Sequence, residues 1–162
     1  MNPEKGAHIA IDVARAAGWR LLLAAKLNKP AEQAYFDEQV KPRLGDDAEW
    51  LGEADGAGKT ELLAGARCLL LPLQWEEPFG LVMVEAMACG TPVVTLRRGS
   101  IPEIVVDCVT GLVRDDPADL PAALDAVADL DPRACRQRAE DEFDLPVMVS
   151  RYEQIYRELI GR

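Results

Sequence analysis

The residues best suited to chemistry lie in the stretch Glu77-Pro78-Phe79-Gly80-Leu81-Val82-Met83-Val84-Glu85. Pro78 and Gly80 interrupt regular structure just before an apolar helix. Free backbone N–H groups and the positive end of the helix dipole therefore gather at that turn, a setting that favours phosphate. Glu85 lies about 7.5 Å along the helix from Gly80, on a segment otherwise made of Leu, Val, Met and Ala. A carboxylate in such company needs a partner. The two hydroxyls of a ribose would supply two donors to it, while Glu77, in the turn, could accept from another part of the same ligand. The spacing equally allows Glu77 to be solvated and Glu85 to cap a neighbouring backbone group.

Other chemical signals are weaker. Gly58-Lys59-Thr60 has the ending of a phosphate-binding P-loop, but the first glycine of such a loop would fall on Glu53, with Gly52 one residue out of register. Asp129-Leu130-Asp131 has the D-x-D form used by metal-dependent sugar transferases of another fold. It ends an acidic helical segment far from Glu77, so a solvated face and no metal are expected. Arg97 and Arg98 follow a strand's carboxyl end, where a cation meets phosphate or simply stays in solvent. Glu103 is expected to anchor its own loop through backbone hydrogen bonds. His8 reads as structural, and Trp19, Trp50 and Trp75 as packing residues, with Trp75 alone close to the Glu77 motif.

These groups must be held by an alternation of short apolar runs and amphipathic stretches, the pattern of a parallel sheet covered by helices on both faces. Strands are expected at 20–25, 48–52, 67–72, 92–96 and 111–114, and helices at 6–17, 31–43, 58–66, 80–89, 118–130, 132–142 and 147–160. Ile9, Val13 and Ala16/Ala17 recur at helical spacing, as do Leu81, Val84/Glu85 and Ala88. Ligands of such sheets bind beyond the carboxyl ends of the strands, which here are residues 26–29, 52–59, 73–80 and 97–101.

Composition narrows the class of protein. The 162 residues suit one domain, and 49% apolar with 28% charged residues is ordinary for a globular chain. A formal charge of −10 opposes broad attraction to nucleic acid or an anionic membrane surface, so an anionic ligand needs a local cationic site. Cys68, Cys89, Cys108 and Cys135 are widely spaced and only His8 could join them in a metal cluster, so neither a disulfide framework nor zinc is indicated. The apolar runs are too short to span a bilayer and the first residues carry no signal region, which makes a reducing cytoplasm the expected compartment.

The segment from Glu77 to Val94 closely resembles the E-x7-E signature of family 4 retaining glycosyltransferases, and the likeness extends through P-E-K-G at 3–6, L-G-E at 51–53, L-L-A-G-A-R at 62–67, R-G-S-I-P-E-I-V at 98–105 and T-G-L-V at 110–113. That family has two Rossmann-like domains with the active site between them, and the C-terminal one holds the nucleotide-sugar donor. The resemblance implies that residues 1–162 form this donor-binding domain, the C-terminal half of a GT-B fold, and that the acceptor-binding N-terminal domain is absent from the chain. It makes Glu85 the ligand of the ribose hydroxyls and Glu77 a ligand of the transferred sugar. It sets the backbone amides of Phe79, Gly80 and Leu81 against the sugar and diphosphate, and makes Lys5 the cation that stabilises the departing diphosphate.

Two departures accompany the likeness. The arginine that partners this lysine in relatives lies a few residues earlier than the chain extends, and Cys108 stands where relatives commonly carry glycine in a D-G-x-T-G turn. The reading is therefore a UDP- or GDP-sugar-binding half of a retaining, metal-independent hexosyltransferase, with little activity alone, no cofactor, no transmembrane segment and no nucleic-acid partner. The competing classes are a non-catalytic nucleotide- or sugar-binding module and a P-loop nucleotide phosphatase, the latter resting on Lys59.

Overall fold

The computed structural model describes residues 1–161. Five short strands, β1 (Leu21–Leu23), β2 (Ala48–Trp50), β3 (Leu69–Leu71), β4 (Val93–Leu96) and β5 (Gly111–Arg114), pair in parallel throughout. Helices α1 (Ala7–Ala16), α2 (Pro30–Tyr35), α3 (Gly56–Gly65), α4 (Leu81–Ala88), α5 (Ile101–Ile104), α6 (Leu120–Ala126), α7 (Pro132–Phe143) and α8 (Leu145–Ile160) make up the rest of the framework. This is the expected Rossmann-like α/β class.

β4 shows why the sheet forms where it does. All of Val93–Leu96 is buried, as suits a strand covered on both faces, and the one polar side chain in it, Thr95, is satisfied by donating to the Leu71 carbonyl at 2.7 Å. Val93 joins a core with Met83, Met87 and Cys135 on the α4 and α7 side, while Val94 and Leu96 join Leu120 and Leu124 of α6 on the other. A third cluster sets Ile11 of α1 against Tyr35, Phe36, Val40 and Ala48 beside β1 and β2. The ladder itself is interrupted: β1 pairs with β2, and β3 with β4 and β5, as two separate sheets.

Several boundaries differ from the sequence reading. The stretch expected as one helix at 31–43 divides into α2, a π-helical turn Phe36–Val40 and a 3-10 turn Lys41–Arg43. Pro42 lacks the N–H that would continue the helix, and the wider turn brings both Phe36 and Val40 inside, with the Phe36 ring 4.5 Å from that of Trp50. The stretch 118–130 is likewise α6 bracketed by 3-10 turns at Pro117–Asp119 and Val127–Asp129. The single turn α5 has no counterpart in the sequence reading.

The largest correction concerns α4. Its buried residues are Met83, Ala86 and Met87, and Leu81, expected on the core stripe, is 68% exposed. A helix that is apolar nearly all round carries no periodicity to set its phase; packing against α7 sets it instead. The rotation turns Glu85 away from the core and toward α3.

Candidate functional site

The site gathers at the carboxyl ends of β3 and β4, where the loops 72–80 and 97–100 meet the first residues of the chain. Asn2 caps a 3-10 turn over Pro3–Lys5, accepting from the Glu4 N–H at 3.1 Å. The Glu4 carbonyl accepts in turn from the Gln74 N–H at 2.8 Å. This ties the segment bearing Lys5 to the loop bearing Glu77.

Lys5 and Glu77 meet directly. The Lys5 Nζ donates to Glu77 Oε2 at 2.5 Å, and the Trp75 indole N–H donates to the same oxygen at 3.1 Å. The Lys5 ammonium also stands 5.0 Å over the Trp75 ring, within cation–π reach. Glu77 is buried and so needs these donors, whereas the Lys5 side chain is 45% exposed. That exposure limits the pair's contribution to stability to about 1 kcal/mol. Its larger effect is positional: a cation is fixed at the rim with one side open to an incoming anion.

The Glu77 backbone is clamped as well. Its carbonyl accepts from the Ser100 N–H at 2.9 Å, and a side chain at Gly99 would press to 2.3 Å from the Glu77 carbonyl oxygen, so residue 99 must be glycine for the two loops to close. The Ser100 hydroxyl is buried there with no partner among the described residues. Gly80 then caps α4 in the left-handed region, φ 79°, which glycine adopts without strain. No side chain caps α4, so its first amides and the positive end of its dipole stay available. Phe79 is half-exposed and edge-on to Phe143, ring centroids 6.0 Å apart, and Leu81 projects outward at the same rim.

Glu85 has a partner that the sequence reading missed. Lys59 Nζ donates to Glu85 Oε1 at 2.6 Å, with both side chains part-exposed. Gly58-Lys59-Thr60 lies inside α3, where Asp55 caps the Gly58 N–H at 2.7 Å. The Lys59 N–H donates to the Asp55 carbonyl at 2.8 Å, so neither the Gly58 nor the Lys59 amide is left for a phosphate, and the P-loop alternative gains no support from the geometry. The available signal was the apolar company of Glu85, which demanded a cation from a neighbouring element.

The remaining candidates fall outside this cluster. Arg97 donates to Asp115 at 2.9 Å, and Arg98 to the Arg97 carbonyl at 3.0 Å. Glu103 does not anchor its loop through its carboxylate: among the described residues its hydrogen bonds are backbone ones, including a carbonyl that accepts from Arg138 at 2.7 Å. His8 pairs with the Tyr35 hydroxyl at 2.7 Å, a structural contact as expected. Trp19 donates to Asp125 and Trp50 to the Ala25 carbonyl. No cluster of metal-ligating side chains occurs among the described residues, and no helix among them is long and apolar enough to cross a membrane.

Residues 1–140 match the family model of glycosyl transferases group 1. The chain belongs to this glycosyltransferase family. It is 36% identical over 130 residues to a glycogen synthase of Mycobacterium tuberculosis, covering 75% of this chain and 31% of that protein. Its structure is similar to that of the sucrose-phosphate synthase from Thermosynechococcus elongatus, with a TM-score of 0.77 and 29% identity over 99% of this chain and 43% of that one. It is also similar to Anabaena HepE solved in complex with UDP and glucose, with a TM-score of 0.79 and 26% identity over 100% of this chain and 46% of that one. The glycosyltransferase domain thus spans about a third of the curated relative and under half of the solved ones.

Proposed function

We propose that this domain grips a nucleoside-diphosphate sugar, UDP- or GDP-linked, and forms the donor half of a retaining, metal-independent hexosyltransferase whose acceptor-binding domain lies outside residues 1–162. The observation that carries the reading is the convergence of Lys5, Glu77 and the uncapped start of α4 at one rim. A cation and free amides suit a diphosphate, and a buried carboxylate beside them suits sugar hydroxyls. The UDP and glucose held by the similar HepE structure support the same ligand class.

In this reading the diphosphate enters against the amides of Phe79, Gly80 and Leu81, and Lys5 turns its open side toward it. As the bond from the anomeric carbon to the diphosphate oxygen lengthens, negative charge grows on that oxygen. A fixed ammonium and a helix dipole then stabilise the transition state more than the ground state. Glu77 accepts from hydroxyls of the transferred sugar, and Glu85, held by Lys59, accepts from the ribose. No side chain of the domain is placed as a covalent nucleophile. The four unpaired thiols suit a reducing cytoplasm.

The test is calorimetry of the domain with UDP and with GDP, each with and without EDTA. Weak binding of one nucleotide that survives EDTA, with little sugar transfer by the domain alone, is the expected result. An absolute requirement for magnesium or manganese, or binding unaffected by loss of Lys5, would overturn the reading.

A further inference from the structure

Glu77 offers its two carboxylate oxygens unequally. The Lys5 ammonium and the Trp75 indole N–H both donate to Oε2, while Oε1 accepts from no group among the described residues. Oε1 is nevertheless not sealed in, because the Ser100 hydroxyl is the one side-chain polar atom among those residues that is buried without a partner. The Glu77 side chain is only 7% exposed, so the oxygen that still reaches solvent is an acceptor aimed out of the protein. The donors on Oε2 offset the cost of burying the rest of the carboxylate.

Those two donors differ in permanence. The Lys5 side chain is long, flexible and 45% exposed, and its ammonium can turn a spare N–H toward an incoming anion. Trp75 is held. Its ring packs against the core that contains Leu73, Met83 and Ile101. The backbone beside it is fixed as well: the Gln74 N–H donates to the Glu4 carbonyl at 2.8 Å and the Gln74 side-chain amide to the Pro72 carbonyl at 2.9 Å. An indole carries a lone N–H and no acceptor, so a ring fixed by packing gives that N–H a single target, Oε2 at 3.1 Å. The face of the same ring lies 5.0 Å from the Lys5 ammonium, a cation–π contact. One side chain therefore touches both members of the ion pair.

We propose, resting on the donor reading of this domain, that Trp75 is a positioning residue that sets the preference of the site for a sugar-bearing nucleotide over the free nucleotide. Its N–H pins Oε2 and so turns Oε1 toward a hydroxyl of the transferred sugar. It also keeps Oε2 satisfied when Lys5 shares its charge with the diphosphate, so the buried carboxylate is never left without a donor. Trp75 itself meets no reacting atom and acts through Glu77 and Lys5. The packing role expected from the sequence is what makes the donor rigid.

The experiment measures, by calorimetry on the whole chain, the affinity for UDP and UDP-glucose and for GDP and GDP-mannose, and takes the ratio of sugar-bearing to free nucleotide. Trp75→Phe keeps an aromatic face for Lys5 and loses the N–H. Trp75→benzothienylalanine, introduced at that position alone, keeps the bicyclic shape and puts sulfur where the N–H was. The expected result in both variants is roughly tenfold weaker binding of the sugar-bearing nucleotide, as for a lost hydrogen bond to a charged group, with free nucleotide bound within about threefold of the parent. A purely structural role would weaken both ligands together and leave the ratio where it was, and that outcome overturns the proposal. A change of ratio confined to Trp75→Phe overturns it too, since bulk and not the N–H would then be responsible. If Trp75→Phe does not fold, the benzothienylalanine variant decides alone. The donor reading fails in a different way: a parent chain that binds none of the four nucleotides overturns that reading and the role of Trp75 with it. A parent that binds them with a ratio unchanged in the variants overturns the role of Trp75 only.

Discussion

The Lys5 ammonium and the buried Glu77 carboxylate, 72 positions apart in sequence, meet at 2.5 Å. The pair sets opposite expectations for its two members. Lys5→Ala removes a cation that would face the diphosphate, and a lost hydrogen bond to a charged group is worth about 1.5–3 kcal/mol. That corresponds to roughly tenfold to a hundredfold weaker nucleoside-diphosphate binding. Glu77→Gln keeps an acceptor for Trp75 but releases Lys5 from its counter-charge. Free UDP or GDP should then bind as well as before or better, while the nucleotide sugar binds more weakly. Calorimetry with both ligands on both variants checks the contrast, and weaker free-nucleotide binding in Glu77→Gln would contradict it.

How much of this was legible in the sequence depended on whether a local pattern existed to read. The burial of Val93–Leu96 followed from its largely β-branched and apolar composition, and the α/β alternation followed from such runs. The phase of α4 did not, because Leu, Val, Met and Ala on every side leave packing to choose the face. The pairing of Lys59 with Glu85 was not legible, because the two lie 26 residues apart and no local pattern links them. Lys5 was placed by family resemblance and not by any periodicity, since a single exposed lysine carries none. The split between β1 and β3 had no sequence signal, because strand spacing reveals that strands exist and not which edges are left open.

Cys108 offers a stability test. It is the one non-glycine residue with positive φ among those described, at 62°, and its N–H donates to the Gly111 carbonyl at 2.9 Å to close the turn before β5. A side chain in the left-handed region costs about 1–2 kcal/mol, which explains physically why glycine suits this turn. Cys108→Gly should therefore raise stability by up to about 1 kcal/mol after the greater chain entropy of glycine is subtracted. Thermal or urea unfolding measures the gain, and Cys108→Val should move in the opposite direction. Equal midpoints for all three would show that the turn is unstrained.

His8 gives a pH signature. Burial, and then the nearby Arg43 charge, hold its pKa below the ordinary 6.5, and the neutral ring is hydrogen-bonded to Tyr35 at 2.7 Å. The unfolded chain therefore takes up the proton first. The stability associated with neutral His8 is fully present above pH 6.5 and declines as pH falls through the lower folded-state value. Urea midpoints between pH 7.5 and 5 should fall in the parent protein and fall less in His8→Phe. The carboxylates Asp47, Glu32 and Glu142, whose pKa values are held down by hydrogen bonds from Arg15, from the Asn28 backbone N–H and from Arg151, add their own losses only at lower pH. A parallel decline in both proteins across pH 7.5 to 5 would remove His8 from the account.

The Lys59–Glu85 pair divides ribose recognition from sugar recognition. Glu85 stands inside α4, so under the donor reading it meets the ribose, which free nucleotide and nucleotide sugar share. Glu85→Ala should weaken both ligands by similar factors, roughly tenfold to a hundredfold, whereas the Glu77 variant discriminates between them. Lys59 touches Glu85 and is expected to act through it, by holding the carboxylate toward the ribose. Lys59→Ala should then weaken both ligands by a smaller factor, and should add little once Glu85 is already alanine, which is the non-additivity expected of contacting residues. Lys59→Arg should restore most of the loss by renewing the ion pair. A full additional loss from Lys59→Ala in the Glu85→Ala background would mean that Lys59 contacts the nucleotide itself. Equal losses of free-nucleotide binding in the Glu77 and Glu85 variants would collapse the division of roles along α4, even with the family assignment intact.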